Sequence, residues 1–281
     1  MSGPTWLRRS PRLVLVVLVV GVALVAGAAA FATDEPAIHT LTPHSEDQIT
    51  NIDVLRQQIR NYYGDPFGTG RFSSDSYYAK EARSVAEEGR EWIATASRTD
   101  HSSATKAIVL DVDDTTLATW NYEVYSNWDY DPATNATFVT EQRFPKVPGM
   151  VRMVRKAVRK GFAIFYLTGR PTSQEQATLG NLTNDGIGVD AGYPAPTTLP
   201  TGEDGLFTKP DVADYPDYLQ EACAADPGGK CTTVHYKSAT RAYIESLGYE
   251  VVGNFGDQFS DLEGGHANRT FKLPNPNYFL P

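Results

Sequence analysis

Residues 107 to 110, Ala-Ile-Val-Leu, form a short apolar run that stops abruptly at Asp111-Val112-Asp113-Asp114-Thr115. The same junction recurs twice: Phe162 to Leu167 runs into Thr168-Gly169-Arg170, and Glu250 to Phe255 runs into Gly256-Asp257. A run that is apolar at consecutive positions reads as a strand covered on both faces, the condition of strands in parallel sheets. Between the first two runs, Met150, Val151, Val154 and Val158 make a helical stripe closed by Arg159-Lys160 and Gly161, a basic last turn followed by a glycine cap. A further helix is expected near Ser238 to Leu247, ended by Gly248. Strand, helix, strand, helix, strand implies right-handed crossovers and an α/β fold, a parallel sheet with helices on both faces. Its site belongs at the strand C-termini, where the polar clusters lie.

Upstream the pattern is helical. Ile49, Ile52, Leu55, Ile59 and Tyr62 form one stripe, and Tyr78, Ala82, Val85, Gly89, Ile93 and Ala96 form another, with the breaker-rich loop Gly64-Asp65-Pro66-Phe67-Gly68-Thr69-Gly70 between them. Three parts are expected: residues 1–32, a helical module over 33–105, and the α/β core over 106–281.

The first part holds Arg8, Arg9 and Arg12 and no acid, then a chargeless 20-residue run from Leu13 to Ala32 that ends in Ala30-Phe31-Ala32. This composition reads as an export signal cleaved before Thr33, while its length also suits a membrane anchor. Either way the bulk of the chain is placed outside, secreted or at the cell surface. Taking those three arginines from the 25 Lys+Arg leaves 22 basic against 34 acidic side chains, net −12 beyond residue 32. Such a balance argues against a nucleic acid polymer as partner, and any phosphate must be handled locally. Export also bears on Cys223 and Cys231, eight positions apart around Asp226-Pro227-Gly228-Gly229, which are expected to form a short-loop disulfide.

The chemistry lies at the strand ends. A calcium loop starting at Asp111 fails, because Thr116 stands where that loop needs glycine and Tyr122 where it needs Glu. Asp257 and Asp261 supply two more carboxylates on the last strand's exit. Four converging acids repel one another without a cation, and ligands that are all oxygen select a hard one, most simply Mg²⁺. Thr168 adds a hydroxyl beside Gly169, and Lys237 adds a point charge. Acid nucleophile, divalent metal, hydroxyl and lysine are together the requirements of phosphoryl transfer.

With these residues in place, the chain resembles the haloacid dehalogenase (HAD) superfamily phosphatases, specifically the subfamily IIIB acid phosphatases that include plant vegetative storage proteins and bacterial lipoprotein acid phosphatases. The resemblance runs from about Lys106 to the C-terminus through Asp-Val-Asp-Asp-Thr-Thr-Leu (111–117), Leu-Thr-Gly-Arg (167–170), Tyr-Lys-Ser-Ala-Thr-Arg (236–241), Gly-Asn-Phe-Gly-Asp-Gln-Phe-Ser-Asp-Leu (253–262) and Phe-Lys-Leu-Pro-Asn-Pro (271–276). It implies a Rossmann-like HAD core and a phosphomonoesterase acting on small phosphate esters through an aspartyl-phosphate. Asp111 is then the nucleophile and Asp113 the general acid and base. Thr168 would hydrogen-bond the transferring group and Lys237 would balance its charge. Mg²⁺ would sit among Asp111, the Asp113 carbonyl and Asp257, with Asp261 direct or through water.

Two positions depart from the family's usual pattern, Asp114 for Glu and Thr119 for Asn. Gly169 and Arg170 are expected near the substrate. The segment 118–146 is rich in aromatics, and although most should pack, Trp120 and Tyr122 are expected to reach the pocket, where a ring could stack on a nucleoside monophosphate. Arg241 is placed between substrate contact and surface ion pair, and His235 and His266 are read as structural. Three activities remain open at this point: a phosphatase, a phosphotransferase with the same residues, and a storage or binding protein that kept the fold and lost catalysis.

Overall fold

In a computed structural model of the chain, residues 42–98, 103–183 and 187–280 are described, and they fall in one unit spanning Ile38–Pro281. The export segment expected over residues 1–32 lies outside the described residues. Among the described residues no helix is long and apolar enough to cross a membrane.

The apolar runs do become parallel strands: β1 (Thr105–Leu110), β2 (Ala163–Pro171) and β4 (Tyr249–Gly256). Two short strands absent from the sequence reading, β3 (Leu206–Lys209) and β5 (Thr270–Lys272), extend the sheet to the order β3-β2-β1-β4-β5. In β1, Val109 faces Phe165 of β2 on one side and Asn254 of β4 on the other. Its side chains alternate between two cores: Ile108 and Leu110 pack with Ala82, Met153 and Val154, while Ala107 and Val109 pack with Leu219 and Ile244. Both faces are thus dry, and that is why β1 carries no polar residue after Lys106.

Nine helices of the described residues surround this sheet: α1 (Ile52–Tyr62), α2 (Tyr77–Ala96), α3 (Trp120–Ser126), α4 (Pro132–Thr140), α5 (Met150–Arg159), α6 (Glu175–Thr183), α7 (Asp217–Ala222), α8 (Thr233–Ser246) and α9 (Phe259–Leu262). From β1 the chain steps outward to β2 and β3, then returns to the other side of β1 as β4. The order therefore reverses between β1 and β4, and the crevice at such a switch point is where ligands bind in open parallel sheets.

The two N-terminal stripes behave differently. In α2 the expected stripe is buried apart from half-buried Val85, and its Gly89 is required by proximity, since a Cβ there would meet the Phe255 ring at 2.7 Å. Trp92 Nε1 donates to the Val252 carbonyl at 2.7 Å, tying the helix to β4. In α1 only Ile59 is buried, and Ile52 and Leu55 remain 59% and 43% exposed. The helix docks through its end, where Tyr63 stacks on Trp120 (centroids 4.1 Å apart, planes 5° apart) and on Tyr78. The loop between the two helices is ordered around buried Asp65, which accepts hydrogen bonds from Thr69 N–H and hydroxyl, Gly70 N–H and Trp120 Nε1. Cys223 and Cys231 form the expected disulfide, with both residues buried.

Candidate active site

The loops leaving β1 and β4 meet at the switch point. Asp111 N–H donates to the Phe255 carbonyl at 2.9 Å, which carries the β1–β4 pairing one residue past the strand and holds Asp111 at its end, 8% exposed. Two residues on, the Asp113 side chain is 32% exposed. Across the crevice, Gly256 and Asp257 end β4 and α9 folds back over them. A Cβ on Gly256 would lie 2.4 Å from the Asp261 Cβ, so any other residue there would push Asp261 out of place. The first turn of α9 is closed by a capping box in which Gln258 N–H donates to Asp261 Oδ2 at 3.0 Å.

Lys237, from α8, reaches the other side of the crevice. Its Nζ lies 2.5 Å from Asp111 Oδ1 and 3.0 Å from Asp261 Oδ1, and it donates to the Leu167 carbonyl at 2.6 Å. Asp111, Asp257 and Asp261 bring carboxylate oxygens within 4.8 Å of one another, all three residues buried. Burial first, then the charge of Asp261, pushes the Asp111 carboxyl up to about 7 against the pull of Lys237. Burial, followed by repulsion from Asp261 and Asp111, carries Asp257 well above the usual carboxylate range. Although burial opposes its charged form, Asp111 and Asp261 hold the Lys237 ammonium above its ordinary value. One ammonium against three buried carboxylates leaves negative charge in excess, and a donor set made only of oxygen fits a hard divalent cation.

The loop after β1 has a second charged pair. Arg170 Nε and Nη2 grip both oxygens of Asp113 at 3.0 and 2.6 Å, and its Nη1 donates to Thr178 Oγ1 at 3.0 Å. Thr168, fully buried, accepts the Arg170 N–H at 3.2 Å, and Gly169 is exposed between them. The two family departures turn out to be partners: Thr119 donates from its N–H and its hydroxyl to Asp114 at 3.0 and 2.5 Å, closing a loop whose Asp114 has φ 49°. A shorter acid thus meets a shorter partner.

Several contributors had no sequence signal of their own. Asp257 is held by Thr115 Oγ1 (3.3 Å), Gln258 Nε2 (2.6 Å) and Asn275 Nδ2 (2.7 Å), the last delivered by the segment after β5. The Pro-Asn-Pro around Asn275 marks a special segment but not its target. Glu123, 8% exposed in α3, has no side-chain partner among the described residues, and burial, then the charges of Asp114 and Asp113, pushes it up to about 8.

Three expectations change. Trp120 and Tyr122 do not line the pocket: they are 0% and 1% exposed, with Trp120 sandwiched on Tyr63 and Tyr122 packed on Phe138. Their rings are consumed in seating α3 on the core. The ring directly against the charged pair is buried Phe144, its centroid 5.3 Å from the Arg170 guanidinium carbon, and Tyr130, 67% exposed, lies within the field of Asp113 and Arg170. Arg241 contacts neither solvent nor crevice. Fully buried, it donates to the carbonyls of Gly265 (2.9 Å), Asp261 (2.7 Å) and Glu263, bracing the loop that presents Asp261. His235 and His266 form surface pairs with Asp226 and Glu245, as structural histidines do.

A buried carboxylate beside an ammonium, with a more exposed carboxyl two residues on and a hydroxyl at the neighbouring strand end, is equipped for covalent displacement at an electrophile with negatively charged oxygens. Comparison with known proteins points the same way. The profile of a family described as HAD superfamily, subfamily IIIB (acid phosphatase), matches residues 32–281. The stem 28 kDa glycoprotein of Glycine max is 31% identical over 163 residues, 57% of this chain and 50% of that one, so the chain spans about half the length of this relative. Acid phosphatase 1 of Solanum lycopersicum is 27% identical over 212 residues, 72% of this chain and 69% of that one. In fold the chain is similar to a class C acid phosphatase from Bacillus anthracis with tungstate bound, with a TM-score of 0.57 at 18% identity over 80% of this chain and 85% of that one.

Proposed function

The chain belongs to subfamily IIIB of the HAD superfamily, the acid phosphatases, and from that premise we propose that it is an exported, Mg²⁺-dependent phosphomonoesterase acting on small phosphate esters. One observation carries the reading: Asp111, at the end of the central strand, shares Lys237 with Asp261 inside a buried all-oxygen cluster.

In this mechanism the Asp111 carboxylate attacks phosphorus, the ester P–O bond breaks, and Asp113 gives its proton to the leaving oxygen. Asp113 then takes a proton from water, whose oxygen attacks the aspartyl-phosphate, releasing inorganic phosphate and restoring Asp111. Lys237 and the Thr168 hydroxyl hold the phosphoryl oxygens as charge builds. Arg170 occupies both Asp113 oxygens at rest, so one must leave the fork before Asp113 serves the leaving group. The oxygen set suits Mg²⁺, which Asp111, Asp257 and Asp261, with the Asp113 carbonyl, would hold, and which would supply positive charge to the transferring group.

The segment 33–105 is read as a helical module that braces the nucleophile loop, through Asp65 and Tyr63 against Trp120. Residues 1–32 are read as the export signal, and the Cys223–Cys231 disulfide supports an oxidising destination. Tyr130, next to Gly169 and Arg170 in function, is the ring assigned to the ester's organic part.

The test is hydrolysis of an aryl phosphate by the full chain with Mg²⁺, with EDTA, and as Asp111→Asn. Turnover that needs the metal and falls at least about 10³-fold in the variant is expected. Turnover that survives Asp111→Asn, or none from folded, Mg²⁺-loaded protein across a broad pH range, overturns the proposal.

A further inference from the structure

A groove of about 570 Å³ runs between α2 and α5, away from the carboxylate cluster, and its charge is opposite to that of the chain. Arg83 and Arg90 line it from α2, Arg152, Arg155 and Arg159 from α5, and Lys146 from the loop before α5. The one acid in the lining, Glu87, is already paired with Arg90. In a protein whose formal net charge is −9, this gathers six of 25 basic side chains around one trough.

Fold stability does not account for the gathering. Arg159 lies in the last turn of α5, where a cation suits the helix dipole, but Arg152 lies in the first turn, where it is opposed. Arg83 and Arg155 each reach a backbone carbonyl, of Ser74 and Gly192, at 2.8 Å. Lys146, Arg152 and Arg159 engage no hydrogen bond or ion pair with their side chains among the described residues, and all three are exposed. Like charges held together without counter-charge raise the energy of the folded state, and a bound anion removes that penalty.

We propose that this groove is a second anion site, distinct from the catalytic crevice, and that it takes a short linear oligophosphate. Three observations select that chemistry. Five of the six cations are arginines, whose planar fork matches phosphate oxygens two at a time. Arg152, Arg155 and Arg159 lie along one side of α5 over about 10 Å, at 1.5 Å per residue, a row suited to an extended anion rather than a single ion. The volume, about 570 Å³, is that of a small-molecule site, which limits the ligand to a short chain. The floor is firm, because α2 and α5 are in close contact: a Cβ on Gly149 would sit 2.8 Å from the Ala86 Cβ.

Titration calorimetry of the full chain, free of divalent cations, with inorganic tripolyphosphate and with orthophosphate, tests this. Tripolyphosphate is expected to bind the tighter, and Lys146→Glu/Arg152→Glu, at side chains without partners, is expected to weaken it by at least about tenfold. A control, Lys80→Glu/Lys230→Glu, alters the net charge equally and should leave the affinity within about twofold. Absence of tripolyphosphate binding, equal loss in both variants, or affinity no greater than for orthophosphate overturns the proposal. So does a groove-dependent preference for anionic over neutral lipid vesicles in place of tripolyphosphate binding, which would make the face a membrane surface. None of these outcomes depends on turnover.

Discussion

At the C-terminal edge of the sheet, Asp111 and Asp261 share one ammonium with Asp257 close beside them, all buried, whereas between α2 and α5 six cations face an open trough with a single acid among them. Both are concentrations of like charge, and they differ in what surrounds them. In the crevice each group's charge state depends on the others, because burial removes the screening that would separate them. In the groove, water and salt keep the cations nearly independent, and each contributes a modest, additive pull on a ligand. Burial couples charges and exposure decouples them, so substitutions in the two places should differ in size, in sign and in response to salt.

Lys237→Met should have the largest effect. It leaves three buried carboxylates without their internal cation, and we expect a loss in kcat of at least about 10³-fold with a stability loss of about 3–5 kcal/mol. Wild-type thermal stability in that variant would show that the cluster is not coupled as described. Asp257→Asn comes next and acts in the opposite sense on the empty fold: it removes one of three like charges, so the metal-free protein should melt no lower than wild type. Meanwhile the Mg²⁺ concentration for half-maximal turnover should rise by about 10–100-fold. An unchanged Mg²⁺ requirement would take Asp257 out of the metal set.

Glu123 is an intermediate case, buried yet unpaired, and it sharpens the contrast through pH. Its carboxyl has an ordinary value of 4.5 and is pushed up to about 8 in the fold. Between those values the folded chain binds more protons than the unfolded one, so stability falls as pH rises through that window. Glu123→Gln should therefore leave Tm unchanged near pH 4 and raise it by roughly 3–6 °C at pH 8. A gain of equal size at both ends would point to packing instead of charge. The smallest effect is expected from salt: raising NaCl from about 0.05 to about 0.5 M should alter kcat at saturating substrate by less than about twofold, because the three carboxylates and Lys237 are buried, while oligophosphate affinity in the groove falls steeply.

Much of this was legible in the chain, for reasons that are themselves physical. β1, β2 and β4 announce themselves because strands covered on both faces need apolar residues at successive positions. β3 and β5, at the sheet edges, have the burial patterns buried, intermediate, buried, intermediate and exposed, buried, intermediate, and three or four residues of that kind carry no periodic signal. Asp111 and Asp257 could be named from their strand ends, Asp261 from the loop that follows and Lys237 from its polar run on a helix, and the structure brings those four together. What could not be read was partnership over distance. Trp120 looked available for a ligand because its partners, Tyr63 and Asp65, lie more than fifty residues upstream. Asp114 and Thr119 stood out singly, but only the positive φ at Asp114 turns one toward the other. Net charge hid the groove entirely, since an average over 281 residues says nothing about where six of them meet.

The placement of β1 at the centre of the sheet has a consequence in time. Its register runs from Thr105 to Tyr249, and Asp257 is completed only by Asn275, so the crevice joins segments separated by more than half of the chain. Parallel pairings of such long sequence separation close slowly, because the loop entropy is lost before the contacts form. A polypeptide emerging N-terminus first therefore carries Asp111 for most of its synthesis without Lys237, Asp257 and Asp261 around it. The assembled crevice is thus among the last features to form in a chain with this order.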